Sequence, residues 1–198
     1  MRMLIATRNA HKTREFTEML GAGFAVEDLR AHPEIGEVIE DGMTFLENAR
    51  LKALAASRHW RGLVLADDSG LEVESLGGAP GVYSARYAGA EAGDGENRRK
   101  LLAAMASQGD SRRARFCCVL VLAEAGETIA TFEGTAEGTI VHAERGEAGF
   151  GYDRLFQPDG CEKTFAELFA SEKNVISHRA AAVAKLLTYF QATLPEYK

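Results

Sequence analysis

Residues 116–132 of the chain read FCCVLVLAEAGETIATF, and this stretch decides the class of fold. Residues 116–123 form the longest apolar run in the sequence, which is typical of a buried central strand. The turn at residues 125–127 and the run at residues 128–132 predict a hairpin, and glycine bends continue its second strand over residues 134–141. A long hairpin of this kind favours a mixed sheet over a purely parallel, doubly wound one.

Helical patterns and short apolar strands alternate on both sides of this hairpin. The apolar run at residues 3–6 predicts a buried strand, and Asn9 and Gly21 are suitable caps for a helix over residues 10–20. The other predicted elements are a strand at residues 63–66 and helices from the capping box at Thr44 to about Trp60, from about Asp94 to Met105, and from near Ser177. This mixture predicts an α/β fold with helices flanking a mixed sheet.

The composition excludes several classes of protein. A chain of 198 residues with 46% apolar residues can bury a core as one domain. The net charge of −6 argues against a broad nucleic-acid interface, and no apolar run approaches the roughly 20 residues that span a bilayer. Three cysteines, two of them adjacent, do not make a disulfide framework. We therefore expect a cytoplasmic protein with neither a nucleic-acid partner nor a membrane segment.

A candidate phosphate site runs from Thr7 to Lys12, between the first predicted strand and the first predicted helix. A strand-turn-helix junction directs free backbone N–H groups and the positive helix end at one spot, where an anion can bind. Thr7 and Asn9 add polar side chains, and Arg8 and Lys12 add positive charge. The segment is therefore either a phosphate site or a plain helix cap with solvated basic residues.

Acidic residues lie at two junctions. Asp67 and Asp68 follow the second predicted strand, and Glu40 and Asp41 precede the second predicted helix. Carboxylates in such places bind hard cations or act as general bases. Because side chains alternate along a strand, we expect Asp67 and Asp68 to point to different sides and to do different work. The alternatives are an Asx turn at residues 67–70 and acids that complement the helix dipole.

Two later segments have the residue types that recognise a base. Residues 149–153, GFGYD, place aromatic rings among glycines, which suits stacking on a base at close approach. Lys173, His178 and Arg179 lie around the start of the last helix, where donors suit an anion or the oxygens of a base. The alternatives are ring packing in a tight turn and a capped helix with solvated basic residues.

Together these segments supply phosphate donors, acids for a metal ion, an aromatic platform and donors for a base edge, which describes a nucleotide site with Mg²⁺. The same motifs, in order along nearly the whole chain, resemble the inosine triphosphate pyrophosphatase (Ham1-like) family. The resemblance is carried by ATRN at 6–9 with Lys12 and Glu15, TFLENA at 44–49, ADDSGL at 66–71, LGGAPGVYSARY at 76–87, FEG at 132–134, GFGYD at 149–153, Lys173-Asn174 and Ser177-His178-Arg179.

The resemblance implies an elongated, twisted mixed sheet flanked by helices, in a single domain over residues 1–198 with two lobes around a nucleotide cleft. It implies a homodimer that depends on Mg²⁺. The implied reaction is hydrolysis of the deaminated purine nucleoside triphosphates ITP, dITP and XTP to the monophosphate and pyrophosphate. Such an enzyme clears these nucleotides from the nucleotide pool.

The resemblance also implies residue roles. Asp68 would be the general base, and Glu40 with Asp68 would hold Mg²⁺, with Asp67 as a rival ligand. The implied substrate-binding residues are Thr7, Arg8, Asn9, Ala10, His11 and Lys12 at the triphosphate, Ser69 against the substrate, Phe150, Gly151, Tyr152 and Asp153 at the base and sugar, and Lys173, His178 and Arg179 at the base. A 6-oxo purine offers these last residues an acceptor, whereas the amino group of adenine would leave buried donors unpaired.

Two rival functions remain open at this point. One is hydrolysis of other modified or standard nucleoside triphosphates, against which the donors at residues 173–179 argue. The other is a binding module for nucleotide or RNA without catalysis, which would need no water-activating carboxylate. The chain also has Arg8 and Arg154 where many relatives have Gly and Pro, and Arg8 adds charge beside the predicted phosphate site.

Overall fold

The computed structural model describes residues 1–107 and 111–193. Within these ranges the chain forms six strands and five α-helices, joined by loops and short 3₁₀ turns. The strands are β1 (Arg2–Ile5), β2 (Ala25–Asp28), β3 (Leu63–Val73), β4 (Arg113–Glu124), β5 (Glu127–Ile140) and β6 (Phe156–Pro158). The helices are α1 (Ala10–Leu20), α2 (Phe45–Ser57), α3 (Asp94–Ala106), α4 (Ala170–Ile176) and α5 (His178–Thr193).

The six strands form one mixed sheet in the order β2-β1-β3-β4-β5-β6. β1 pairs in parallel with β2 and β3, whereas β5 and β6 pair antiparallel. The tight connection between β4 and β5 places Ala125 and Gly126 at φ values of 52° and 84°, as a hairpin turn requires. The predicted α/β class and the predicted mixed sheet are therefore confirmed.

The described chain divides into two compact units. The first contains Met1–Asp68, Cys118–Gly134 and the chain from Arg179, and the second contains Ser69–Cys117 and Thr135–His178. β3, β4 and β5 each contribute residues to both units.

Both faces of the sheet are buried in the first unit. Met3 and Ile5 of β1 belong to an apolar cluster with residues of α1 and α5, while Leu4 and Ala6 belong to a second cluster with residues of α2. β4 alternates in the same way, with Cys118, Leu120 and Leu122 in the first cluster and Val119, Val121 and Ala123 in the second. Burial on both faces explains the continuous apolar run in this strand.

The second unit has a core of its own. Leu101 and Met105 of α3 pack in one cluster with buried residues of β3, β4, β5 and β6. Phe116, Phe156 and Phe165 form its aromatic centre, and the rings of Phe116 and Phe156 meet edge to face with centroids 4.8 Å apart.

The predicted helices agree closely with the structure. α1 has the predicted bounds, and the Asn9 side chain caps it. α2 begins at the predicted capping box of Thr44 and Glu47, but it ends at Ser57 rather than near Trp60. α4, β2 and β6 were not predicted from the sequence, because each is only three to seven residues long. No helix within the described ranges has the length and apolar character that crossing a bilayer requires.

The predicted end of the strand at residues 63–66, which is β3 in the structure, is wrong. Instead of stopping at Asp67, β3 continues through residues 67–70 to Val73, so the Asx turn proposed for these residues is also wrong. The polar residues suggested a turn, but ion pairs inside the first unit compensate the buried charge of Asp67. Within the second unit, the N–H of Leu71 donates to the Ser84 hydroxyl over 2.9 Å, and β3 continues to Val73.

Candidate active site

Asp67 is the centre of a buried ion-pair group in the first unit. Lys12 Nζ donates to its Oδ1, and Arg179 Nε donates to its Oδ2 over 2.9 Å. Arg179 is only 1% exposed and also pairs with Glu15. Burial raises the pKa of Asp67, but the charges of Arg179 and Lys12 outweigh burial and hold its pKa well below the ordinary value. Asp67 is therefore an ionised carboxylate with both oxygens engaged.

Asp68 is the next residue of β3 and has a different environment. Lys52 Nζ lies 2.9 Å from Asp68 Oδ1 and 2.9 Å from Glu40 Oε2, so one ammonium bridges two carboxylates. Asp68 Oδ2 is buried and has no hydrogen-bond partner among the described residues. Burial raises the pKa of Asp68 above its ordinary value. The two neighbouring aspartates engage different partners, as strand alternation predicts.

The loop that carries Glu40 is fixed to the start of α2. Asn48 is fully buried, and its Oδ1 accepts from the N–H of Gly42 over 2.8 Å. A Cβ on Gly42 would lie 2.7 Å from that oxygen and 2.7 Å from Glu47 Cβ, so position 42 has no room for a side chain. Thr44 and Glu47 close the capping box beside it. These contacts place Glu40 within reach of Lys52.

The predicted phosphate turn is a well-formed helix cap. Asn9 Oδ1 accepts from the N–H groups of His11 and Lys12 over 2.9 Å and 3.3 Å. The Thr7 hydroxyl accepts from the N–H of Asn9 over 3.1 Å. Residues 7–12 thus form a helix cap in this structure, but Lys12 pairs with the buried Asp67 and is not solvated; their contact with a triphosphate stays a prediction.

Arg8 also has an intramolecular role. Its Nη1 donates to the Leu29 carbonyl over 2.6 Å, and its Nη2 donates to the Ile35 carbonyl over 2.7 Å. The guanidinium therefore fastens the loop after β2 to the start of α1. This contact gives the arginine a structural purpose at a position where we expected added charge beside phosphates.

A second polar group lies within the second unit. Lys173 Nζ lies 2.6 Å from Asp153 Oδ2, which also accepts from the Phe150 N–H over 3.0 Å. The lysine is 5% exposed and the aspartate 3% exposed. The ammonium also lies 5.0 Å from the centroid of the Phe150 ring. Gly149 has φ 73°, and a Cβ there would collide with the Asp153 carboxylate, which explains the glycine.

The other predicted base-contacting residues in this unit are largely built into its core. The His178 ring is 4% exposed and stacks on Phe116, with centroids 4.6 Å apart and planes 10° apart. The Tyr152 hydroxyl donates to the Ser84 carbonyl over 2.9 Å, and burial raises the pKa of Tyr152. Ring packing therefore describes Tyr152 better than an open stacking platform does.

The other residues predicted to bind substrate have the following positions in the structure. The Gly151 N–H donates to Asp94 Oδ2 over 2.6 Å, and Arg98 donates to the Gly151 carbonyl over 2.8 Å. Ser69 lies on β3 and Ala10 at the start of α1. The structure thus brings Lys12, Asp67 and Arg179 together, brings Glu40 and Asp68 together through Lys52, and brings Phe150, Asp153 and Lys173 together.

The residues around Asp68 fit a hard cation. Its buried Oδ2 is an acceptor that no residue in the described part of the chain hydrogen-bonds, and carboxylate oxygen is the ligand that Mg²⁺ prefers. Within the described residues, no three His, Cys, Asp or Glu side chains are placed to hold a metal together. An ion at Asp68 would therefore complete its coordination with water or substrate oxygens, as Mg²⁺ commonly does.

Comparison with known proteins agrees with the motifs. The sequence model of the Ham1 family matches residues 3–189. The chain belongs to the Ham1 family. A dITP/XTP pyrophosphatase of Syntrophobacter fumaroxidans is 51% identical over 194 residues, which cover 97% of this chain and 83% of that protein. A dITP/XTP pyrophosphatase of an Exiguobacterium species is 50% identical over 188 residues, which cover 94% of this chain and 95% of that protein.

Solved Ham1 structures share the fold. The Staphylococcus aureus Ham1 protein has a TM-score of 0.85 and 39% sequence identity, with 97% of this chain and 99% of that chain covered. A HAM1 protein from Coxiella burnetii has a TM-score of 0.88 and 37% identity, with 98% and 100% covered. The resemblance that the motifs indicated is confirmed.

Two site residues of this Ham1 chain were missed by reading the sequence. Lys52 links Glu40 to Asp68, and Asn48 holds the Glu40 loop. Both lie on α2, one turn apart, so they share a face of the helix. The signal was a polar pair at i and i+4 on a helix whose other buried residues are three alanines and Ser57.

Proposed function

We propose that this chain hydrolyses deaminated purine nucleoside triphosphates, dITP, XTP and ITP, to the monophosphate and pyrophosphate. Its relatives at about half identity are dITP/XTP pyrophosphatases. The observation that carries the proposal is the buried carboxylate of Asp68, which has one oxygen on Lys52 and the other without a hydrogen-bond partner among the described residues. Clearing such nucleotides protects the nucleotide pool from altered bases.

Asp68 is the proposed general base. A water molecule adjacent to Asp68 Oδ2 gives its proton to the carboxylate while its oxygen bonds to the α-phosphorus. The bond between the α- and β-phosphates breaks, and its electron pair leaves with pyrophosphate. Lys52 holds the opposite oxygen of Asp68 and so directs Oδ2 toward the water.

Mg²⁺ is the proposed cofactor, held by Asp68 and Glu40, and when bound it would neutralise charge on the phosphate oxygens. Glu40 is already placed 2.9 Å from Lys52 by the loop that Asn48 holds. Asp67 is the less suitable ligand, because Lys12 and Arg179 occupy both of its oxygens. We therefore propose Glu40, rather than Asp67, as the second ligand.

We assign triphosphate binding to residues 7–12 and base selection to Phe150, Lys173 and His178. The aromatic ring offers a stacking surface, and the lysine and histidine offer donors to the 6-oxo group of a deaminated purine. Arg179 was predicted to join them, yet its guanidinium lies on Glu15 and Asp67. Its contribution to base selection is therefore proposed to be the smallest of the group.

A binding module without catalysis is the less economical alternative. A buried carboxylate oxygen without a partner destabilises a fold by about 1–3 kcal/mol, and a module that binds nucleotide without catalysis needs no carboxylate to activate water. We also propose a cytoplasmic homodimer, following the family resemblance. Sedimentation velocity tests the dimer, which a single sedimenting species at the monomer mass would contradict.

Product analysis tests the proposed function. The protein is incubated with Mg²⁺ and XTP, dITP, ITP, ATP or GTP, and pyrophosphate and orthophosphate are measured separately. We expect pyrophosphate from the first three nucleotides and little product from ATP and GTP. Orthophosphate as the primary product would move the cleavage to another bond, and equal turnover of ATP would remove base selection from the proposal.

A further inference from the structure

An arginine-rich groove lies in the second unit, apart from the residues assigned above. It has a volume of about 730 Å³ and runs beside the end of β5 and the start of β4. Its charged and polar lining residues are Ser111, Arg112, Arg113, Thr139, His142, Arg145 and Gln157. None of the described residues that line it is acidic. Such a lining is unusual in a chain whose net charge is −6.

Arg112 is the fixed positive charge of this groove. Its Nε donates to the Ile140 carbonyl, and its Nη2 donates to the Val141 carbonyl over 2.9 Å. Backbone carbonyls hold the guanidinium in place but do not neutralise it, and no carboxylate of the described residues lies within ion-pair distance of it. Burial lowers the pKa of Arg112, as expected for a cation that lacks an anionic partner.

Arg113 and Arg145 also line the groove. Arg145 donates to Gln157 Oε1 over 3.0 Å, so the wall of the groove is tied to β6. Its Nε lies 3.3 Å from Glu167, and Arg113 pairs with Asp159 over 2.7 Å. These two charges are partly compensated by acids outside the groove.

We propose that this groove binds a phosphate-bearing anion through Arg112, separately from the candidate active site. The guanidinium fork matches phosphate oxygens, and its position is already set by two carbonyls, so little conformational entropy is lost on binding. His142 is exposed at the rim, where it can donate to the same anion. Orthophosphate, pyrophosphate and a nucleoside monophosphate share this chemistry, and the proposal does not depend on the proposed hydrolysis.

Calorimetric titration of the whole chain with each of these three anions, in EDTA and without Mg²⁺, tests the groove. His142→Glu places an acid at the rim without touching the buried contacts. His59→Glu is the matched control, because it makes the same change at an exposed histidine of the first unit. Arg112→Gln removes the fixed charge, and its thermal unfolding is measured alongside to verify that it folds.

We expect pyrophosphate binding at the groove to weaken at least tenfold in Arg112→Gln and in His142→Glu, and to persist in His59→Glu and in Lys12→Ala. The anion that binds most tightly identifies the source among the three probes. If Lys12→Ala abolishes all binding and His142→Glu changes none, the anion binds only at the candidate active site and the proposal fails. Absence of binding to the unmutated protein at millimolar anion also overturns it.

Discussion

Asp68 in the first unit and Asp153 in the second are both buried carboxylates held by a lysine, yet their oxygens are used differently. Asp153 Oδ2 accepts from Lys173 and from the backbone N–H of Phe150. Asp68 accepts from Lys52 on one oxygen, and within residues 1–107 and 111–193 its other oxygen has no hydrogen-bond partner. The first arrangement fixes a loop, while the second leaves an acceptor available.

This difference distinguishes a carboxylate that positions a loop from one that can take part in a reaction. A carboxylate whose protein contacts hold the neighbouring backbone in place stabilises the structure around it. A buried oxygen left without a partner costs stability, and such costs concentrate at functional sites. We therefore expect substitutions at Asp68 to change turnover and substitutions at the Lys173–Asp153 pair to change stability first.

The largest expected effect is on turnover. Asp68→Asn preserves shape but removes the proton acceptor, so kcat for XTP should fall about 10³-fold. Steady-state release of pyrophosphate measures this. Glu124→Gln, at an exposed carboxylate of β4, is the control and should leave kcat unchanged. Turnover of Asp68→Asn near that of the unmutated protein would remove Asp68 as the base.

The next effect is on stability in the second unit. Lys173→Met leaves the 3%-exposed Asp153 without its cation, which should lower the free energy of unfolding by about 3 kcal/mol. Urea titration followed by circular dichroism measures the change. Lys163→Met removes an exposed lysine from the same unit and should cost less than about 0.5 kcal/mol. Equal losses in the two variants would show that the buried pair does not stabilise the loop.

The smallest effect concerns the loop that carries Glu40. Gly42→Ala would force a Cβ to within 2.7 Å of Asn48 Oδ1, so the loop must shift, at a cost of about 1–3 kcal/mol. We expect a higher Mg²⁺ concentration for half-maximal activity, because Glu40 moves with the loop. At Gly36 a Cβ meets nothing within 4 Å, so Gly36→Ala is the control. An unchanged Mg²⁺ dependence in Gly42→Ala would separate Glu40 from the metal.

The fold was predictable where local chemistry decides it. Residues close together in the sequence form the caps of α1 and the capping box of α2. The apolar run of β4 indicates burial on both faces of the strand. The extent of β3 was not predictable, because Asp67 and Asp68 signal a turn when their partners are unknown. Those partners, Lys12, Arg179 and Lys52, lie far away in the sequence.

The residue types of the candidate site were predictable from the sequence, but the separate roles of those residues were not. The sequence singled out both aspartates, Glu40 and Lys173 as candidates for chemistry. Only the structure distinguishes Asp67, with both oxygens engaged, from Asp68, one oxygen of which no described residue hydrogen-bonds. It also gives Arg179 an ion-pair role on Asp67 that the sequence pattern did not indicate.

The most direct test of the role of Asp68 in the chemical step is the binding of XTP to Asp68→Asn. The dissociation constant is measured at equilibrium in EDTA, for both the variant and the unmutated protein. If Asp68 acts in the chemical step, XTP should bind the variant no more than about threefold more weakly while kcat falls about 10³-fold. A dissociation constant that rises about 10³-fold while kcat stays unchanged would mean that Asp68 only helps to bind substrate.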